Sequence, residues 1–166
     1  MTKQEIRNCY TGVVIFACEA DTLKEALEKA VKDGVHLSYA DLSGKDLSNV
    51  DLSNADLIFA NLSNANLTGA NLTGADLRGA KLPGTNLSNV NLSSADLTGV
   101  NFSNANFDNV DLHDAYLRDG ANRIYLGKTK EESLKKLKEI QDQKYGESMN
   151  TRALIREEKT IKKIKN

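Results

Sequence analysis

The side chains suited to catalysis or metal binding are two histidines, two cysteines and a repeated set of aspartates. His36 and His113 are far apart in the chain, and we expect both to be solvated. Cys9 and Cys18 are too few for a disulfide framework or a zinc site, so we expect a reducing, cytoplasmic setting. The glycine-rich nonapeptide of calcium-binding β-rolls and the phosphate-binding glycine loops are both missing. The sequence therefore predicts a protein that is not an enzyme and holds neither metal nor cofactor.

Charge is distributed unevenly along the 166 residues, although the formal net charge is only −1. Residues 35–119 contain four basic side chains and ten Asp, a balance of −6, whereas residues 120–166 contain thirteen basic and seven acidic side chains, a balance of +6. This asymmetry predicts different partners for the two segments. No apolar run approaches the roughly 18 residues of a membrane span, and the first residues lack a signal-peptide stretch. We therefore expect no membrane partner.

A five-residue period runs through residues 35–119. Leu or Phe recurs at every fifth position from Leu37 to Leu117, in seventeen consecutive units. Two positions earlier stands a small residue, which is Ala in ten units and Val in five. The residue between them is Asp in seven units and Asn in seven, and twelve units end in Gly or Asn. This period fits neither an α-helix nor a single β-strand.

The chemistry of one unit predicts a short straight side followed by a bend. The small residue and the Leu are two positions apart, so an extended backbone points both to one side and the intervening Asp or Asn to the other. Ser or Thr followed by Gly or Asn is typical of turns, where a positive φ is needed. Repeating this unit produces a solenoid with Leu and Ala inside and polar side chains outside.

The repeated motif A-(D/N)-L-(S/T)-(G/N), as in residues 65–69 and 75–79, resembles the pentapeptide-repeat family. The resemblance implies an all-β solenoid, a right-handed quadrilateral β-helix with four units in each coil. Residues twenty positions apart would then stack, and seventeen units give about four coils. We expect three segments: an N-terminal β-hairpin and helix cap (1–34), the β-helix (35–119), and a C-terminal strand with a helical extension (120–166).

The segments on either side are expected to cover the ends of the solenoid, where strand edges and the apolar core would otherwise be exposed. On the N-terminal side, Thr11 and Gly12 separate two short strands, and Thr22 begins a helix that ends at Gly34. On the C-terminal side, a strand is expected at 123–126.

Two helices are predicted after that strand, one from about Thr129 to Gly146 and one at about 151–164. Both are polar apart from one apolar stripe, so they either dock on the rod or pair with another copy in a homodimer. The stripe residues that would mediate oligomerisation are Leu134, Leu137, Ile140, Leu154, Ile161 and Ile164.

Stacking of the coils predicts an acidic row on one face of the rod. Asp56, Asp76 and Asp96 are spaced twenty residues apart and would lie above one another. Like charges at that spacing repel, and Arg78 and Arg118 beside the row would offset part of the repulsion. We predict that these three aspartates, here called the aspartate row, take part in partner binding.

The same stacking predicts an apolar cluster at one corner. Tyr39 and Phe59 occupy equivalent outward corners on consecutive coils, and Ile58 adjoins them. Exposed apolar clusters can mark binding sites for partners, so these three residues are also predicted to bind a partner. The alternative is that the predicted N-terminal hairpin or helix packs on them.

These features favour a noncatalytic protein-binding module that presents a rigid acidic surface. The family resemblance implies a narrower function, because some pentapeptide-repeat proteins resemble duplex DNA in shape and charge and occupy DNA gyrase in its place. The aspartate row would be the feature that acts in this way on a DNA-binding protein.

The competing hypothesis is a structural scaffold or assembly protein, of the kind a phage or mobile element encodes, that oligomerises through its C-terminal helices. The basic side chains between Arg152 and Lys165 have no interleaved aromatic residues for base stacking. We therefore do not expect direct nucleic-acid binding.

Overall fold

The computed structural model describes residues 1–145. The predicted helix at 151–164, with Leu154, Ile161 and Ile164, lies outside the described residues. Within residues 1–145, no helix is both long and apolar enough to span a bilayer. The helices and strands are, in order, β1 (Thr2–Arg7), β2 (Val14–Ala20), α1 (Leu23–Lys32), β3 (Tyr116–Asp119), β4 (Asn122–Tyr125) and α2 (Lys130–Tyr145).

Between α1 and β3 the chain winds into coils of twenty residues. Parallel bridges join residues twenty positions apart, from Asp41 with Asn61 up to Asp96 with Tyr116. Each side of a coil pairs over too short a stretch to form a long strand, so the sheets are built from isolated bridges. The bridge spacing confirms four five-residue units in each coil.

The core of the rod is a stack of leucines that includes two phenylalanines near its C-terminal end. From Leu37 to Leu112, the large residue of every unit is at most 3% exposed. Phe102 and Phe107 meet edge to face near the C-terminal end, with ring centroids 5.1 Å apart. Lys45 occupies an inward position in the pattern but is exposed in the first coil. The predicted apolar interior is therefore confirmed.

The corner residue, defined here as the last residue of each unit, has a positive φ in all sixteen units from Tyr39 to Asp114, with values from 55° to 71°. Fourteen of these corners are Gly, Asn, Ser or Asp. The other two are Tyr39 and Phe59, and this conformation costs such residues about 1–2 kcal/mol.

The N-terminal hairpin is antiparallel and pairs with the edge of the first coil. The N–H of Asp41 donates to the carbonyl of Arg7 at 2.7 Å, and the N–H of Cys9 donates to the carbonyl of Tyr39 at 2.8 Å. Ile6 on β1 is 1% exposed and joins the core of the rod. The hairpin therefore supplies hydrogen-bond partners for the backbone of the first coil and covers part of the apolar core at the N-terminal end of the solenoid.

Helix α1 covers another side of the first coil. Its N-cap Thr22 accepts a hydrogen bond from the N–H of Glu25. Leu27 is fully buried, and the carboxylate of Glu28 accepts a hydrogen bond from the N–H of Asp51 at 3.0 Å. The helix thus provides a partner for a backbone donor at the edge of the rod.

At the C-terminal end the chain reverses instead of adding another side to the coil. The predicted last strand corresponds to β4, which pairs antiparallel with β3. The N–H of Leu126 then donates to the carbonyl of Ala115 at 2.9 Å.

Helix α2 packs on the chain's own core. Leu134 and Leu137 are 2% and 0% exposed, and Ile140 is partly buried against the core. The side-chain amide of Gln141 donates to the carbonyl of Val100 at 3.0 Å. Of the two alternatives, the structure has α2 docked on the rod. An oligomerising role for Leu134, Leu137 and Ile140 would require α2 to leave it.

Candidate protein-binding surface

The aspartate row forms as predicted, because bridges join Asp56 to Asp76 and Asp76 to Asp96. The carboxylates of Asp56 and Asp76 each have a side-chain partner. His36 Nδ1 lies 2.7 Å from Oδ2 of Asp56. Arg78 Nη2 lies 2.6 Å from Oδ2 of Asp76, and Arg78 Nε donates to the same carboxylate.

The third carboxylate of the row is nearly buried. The Asp96 side chain is 4% exposed, and Arg118 Nε donates to its Oδ2 at 2.8 Å. Burial raises the pKa of Asp96, but hydrogen bonds from Thr98 and Arg118 lower it more, so this pKa lies below its ordinary value. The Asp96 carboxylate therefore stays charged and paired.

Asp56 has a similar environment. Burial raises its pKa, whereas hydrogen bonds from Ser38 and His36 lower it to a value below the ordinary one. Asp76 and Asp96 are therefore paired with Arg78 and Arg118, which offset the row as predicted, and Asp56 is hydrogen-bonded to His36 and Ser38. The row presents less negative charge than the sequence alone indicated.

Exposed carboxylates on other faces contribute to the acidity of the rod. On the first coil these are Asp41, Asp46 and Asp51. Hydrogen bonds from the backbone and the side chain of the following serine lower the pKa of Asp46 and of Asp51, and burial only partly opposes this. Both carboxylates therefore remain charged at neutral pH.

Three aromatic side chains, Tyr10, Tyr39 and Phe59, lie in a row that is here called the aromatic strip. The rings of Tyr39 and Phe59 stack with centroids 5.3 Å apart and planes 20° apart, and Tyr10 meets Tyr39 edge-on at 5.9 Å. Tyr10, Tyr39 and Phe59 are 62%, 37% and 44% exposed. Ile58 beside them is half-buried. The hairpin residue Tyr10 contacts the predicted cluster, but the three rings remain accessible.

Beyond Phe59 the same corner contains only glycine on the next two coils. A Cβ at Gly79 would overlap the Phe59 ring, so the ring lies over that glycine. A Cβ at Gly99 would meet only the backbone of Gly79, at 3.7 Å. The Phe59 ring therefore fills the space at Gly79, and the space at Gly99 is a gap without a side chain, here called the glycine notch, next to the Phe59 ring.

Sequence reasoning identified Tyr39, Phe59 and Ile58 but missed Tyr10, Lys81 and the notch. The Lys81 ammonium lies 5.0 Å from the centroid of the Tyr10 ring. The notch could have been found by counting twenty residues onward from Phe59. Tyr10 could not, because it belongs to a hairpin whose contact with the coils is not encoded in the repeat.

A second hollow, also missed, lies at the C-terminal end. It has a volume of about 500 Å³ and is lined by Ser94, Asp114, Tyr116, Arg123 and Tyr125. Within residues 1–145, no three His, Cys, Asp or Glu side chains are grouped so that they could hold a metal ion.

The repeat pattern also matches a known family. The sequence model described as pentapeptide repeats matches eight copies over residues 33–69, 51–89, 70–109 and 85–119, which together make up more than half of the chain. The chain belongs to the pentapeptide-repeat family. Membership implies that the solenoid is a right-handed β-helix. Pentapeptide-repeat proteins are generally structural or binding modules rather than enzymes.

Solved pentapeptide-repeat structures align with about half of the chain. HetL, a pentapeptide-repeat protein involved in heterocyst differentiation regulation from Nostoc sp. strain PCC 7120, is 35% identical over 49% of this chain and 42% of its own, with a TM-score of 0.29. Another pentapeptide-repeat protein from Nostoc PCC 7120 is 33% identical over 56% of this chain and 78% of its own, with a TM-score of 0.32.

More distant is QnrB1, a plasmid-mediated fluoroquinolone resistance protein, which is 19% identical over 47% of this chain and 60% of its own, with a TM-score of 0.24. At these TM-scores none of the three structures supports a functional argument, and family membership rests on the repeat itself. Among curated proteins, no sequence matched the chain.

Proposed function

We propose that this pentapeptide-repeat protein is a noncatalytic protein-binding module that contacts its partner through the corner containing the aromatic strip. The observation that supports this is the position of Tyr39 and Phe59. Both are exposed at positive-φ corners, where Asn or Gly would relieve about 1–2 kcal/mol of backbone strain per residue. Large exposed rings at such corners favour a role in contact with another molecule.

The rod suits this role because it presents the strip in a fixed arrangement. Tyr39 and Phe59 are attached to consecutive coils whose core leucines are buried, and the rings stack on each other. Aromatic side chains supply a large contact area at low cost in conformational entropy, and a surface that is ordered before binding loses little more on association.

The test is capture of a partner by the immobilised full chain from extracts of its source. We expect a protein that the wild type retains to be lost from the double variant Tyr39→Asn/Phe59→Asn. Tyr125→Asn, which removes an exposed tyrosine at the other end of the rod, is the matched control and should retain it. An unchanged set of captured proteins in the double variant would reject the proposed surface.

A narrower form of this function is DNA mimicry by the aspartate row, in which the rod occupies a DNA-binding protein such as a gyrase. The −6 balance of residues 35–119 supports this form, whereas Arg78 and Arg118 reduce the charge that the row presents. Changing Asp56, Asp76 and Asp96 together to Asn tests it. Loss of a captured DNA-binding protein with an unchanged circular dichroism spectrum would support mimicry, and retention would reject it.

The scaffold alternative requires self-association through the C-terminal helices. Because α2 buries Leu134 and Leu137 within the chain, that alternative depends on Leu154, Ile161 and Ile164. Light scattering coupled to gel filtration of the full chain tests it. A monomer would reject the alternative, and an oligomer that Ile161→Asp disperses would support it.

A further inference from the structure

The aromatic strip ends beside a corner that has no side chain of its own. The side chain of Tyr39 reaches a ring on the next coil, and the Phe59 ring lies over Gly79. The next place in this stack is at Gly99, which is exposed and has no side chain of its own. A planar group at that level would face the Phe59 ring at about the 4.8 Å spacing of neighbouring strands.

Most of the basic side chains of the acidic rod are near the same corner. Three of the four basic residues in 35–119, namely Arg78, Lys81 and Arg118, are close to it in the coil. Arg78 directly precedes Gly79, and the backbone N–H of Arg118 donates to the hydroxyl of Thr98, which precedes Gly99.

These three basic side chains differ in whether an ion pair within the chain already uses their charge. Arg78 and Arg118 are paired with Asp76 and Asp96. Lys81 is exposed, lies over the Tyr10 ring, and forms no ion pair within the part of the chain that the structure describes. The corner therefore offers a ring face and a gap at the Phe59 end of the aromatic strip, and an ammonium group at the Tyr10 end.

We propose that this corner binds an extended segment of a protein partner in which an aromatic side chain is next to one or more carboxylates. The aromatic ring enters the glycine notch and stacks on Phe59, and a carboxylate pairs with Lys81. This inference rests on the proposed function and specifies the chemistry of the partner.

Two other occupants fit the corner less well. A single-stranded nucleic acid has a stackable base beside a phosphate, but it carries a charge at every nucleotide and needs a basic groove along its length. Among the residues that the structure describes near this corner, Lys81 is the one basic side chain outside an ion pair. A second copy of the chain needs more area. A stable dimer buries about 800 Å² per partner. A fully buried aromatic side chain contributes about 150–250 Å², so the three partly exposed rings of the strip together offer roughly 300 Å².

The absence of tryptophan from the chain makes the test direct, because a Trp-containing peptide can be followed by its own fluorescence. The probe is the peptide acetyl-GSEEWEEGS-amide, and its matched control has Gln in place of each Glu. We expect the acidic peptide to bind the full chain more tightly than the Gln peptide at low ionic strength, with a blue shift of Trp emission as the indole enters the notch.

Three variants locate the binding. Gly99→Asn adds a side chain to the notch, and Phe59→Asn removes the stacking ring; each should weaken binding of the acidic peptide about threefold to tenfold. Lys81→Gln should weaken the acidic peptide about twofold to fivefold and leave the Gln peptide unchanged. Gly44→Asn is the matched control for Gly99→Asn, because Gly44 also has a positive φ and open space at a different corner.

The possible outcomes distinguish an acidic peptide from a nucleic acid and from a second copy of the chain. Equal affinity for the two peptides, or binding that Gly99→Asn leaves unchanged, would overturn the proposal. Displacement of the peptide by a nine-nucleotide oligothymidylate at lower concentration than by unlabelled peptide would indicate a nucleic-acid site instead. Self-association that Phe59→Asn abolishes would indicate a second copy.

Failure of this inference differs from failure of the proposed function. If the peptides do not bind but Phe59→Asn still abolishes capture of a partner, only the partner chemistry is wrong. If the acidic peptide binds at the notch but no captured protein depends on Phe59, the surface has the chemistry described and the proposed function is wrong.

Discussion

The rings of Tyr39 and Phe59 stack across two consecutive coils, 5.3 Å apart, at corners where both residues have a positive φ. At other corners Asn stacks on the Gly of the next coil, as Asn64 does on Gly84. The aromatic pair therefore replaces an arrangement that the backbone accepts more easily. What it adds is an exposed, ordered apolar surface on a polar rod.

Replacing Phe59 by Asn should leave the fold intact. The variant recreates the Asn–Gly stack, and relief of about 1–2 kcal/mol of backbone strain offsets part of what is lost in ring stacking (about 0.5–1.5 kcal/mol) and in burial of the half-covered ring. We expect the free energy of unfolding in urea to fall by no more than about 2 kcal/mol. A loss of more than about 3 kcal/mol, as for an aromatic residue of the core, would mean that the ring is a packing element.

Replacing Arg118 by Gln should destabilise the protein more than replacing Arg78 by Gln. The first change leaves the carboxylate of Asp96 without its cation, and that side chain is only 4% exposed. The second leaves Asp76, whose side chain is 32% exposed and can be solvated. Urea denaturation midpoints of the two variants compare the effects directly. Equal midpoints would contradict the account of the aspartate row as paired charges of unequal burial.

Stability should fall in acid because the folded state lowers the pKa of Asp56 and of Asp96. A carboxyl whose pKa is lower in the folded state binds protons more readily when unfolded. Its contribution is therefore fully present above the ordinary Asp value of 3.8 and is lost as pH falls through the lower folded value. Melting temperatures between pH 7 and pH 2 measure this loss. Asp96→Asn should show a shallower decline, and an identical decline would exclude Asp96 as a source.

Replacing Leu137 by Ala tests whether α2 belongs to the rod or to an interface between copies. Leu137 is fully buried within the chain, so we expect a loss of about 2–5 kcal/mol in unfolding free energy. Gel filtration with light scattering should show the same molar mass as for the wild type. Dissociation of an oligomer without loss of stability would instead assign Leu137 to assembly.

The repeat could be predicted from the sequence because each position of the five-residue unit points either into the core or out to solvent. The alternation of Ala and Leu about Asp or Asn places the apolar residues inside, and a count of twenty residues predicted both the aspartate row and Arg118 beside Asp96. The same count from Phe59 leads to Gly79 and Gly99, so the notch was encoded in the sequence.

The ends of the rod were harder to predict. The apolar stripe of α2 fits docking and pairing equally well, because the sequence does not state which apolar surface covers it. The chain reversal after Leu117 depends on the antiparallel register of Tyr116 with Tyr125, which lies outside the repeat. Tyr10 enters the aromatic strip only because the hairpin pairs with the first coil at Asn8 and Ala40.

The most direct measurement is the affinity of a captured, purified partner for three forms of the full chain, determined by isothermal titration calorimetry. We expect Phe59→Asn to weaken binding about threefold to tenfold, as the loss of one stacked ring does. The triple change of Asp56, Asp76 and Asp96 to Asn should leave the affinity close to that of the wild type. Unchanged affinity for Phe59→Asn together with lost binding by the triple variant would contradict the account and assign the contact to the aspartate row.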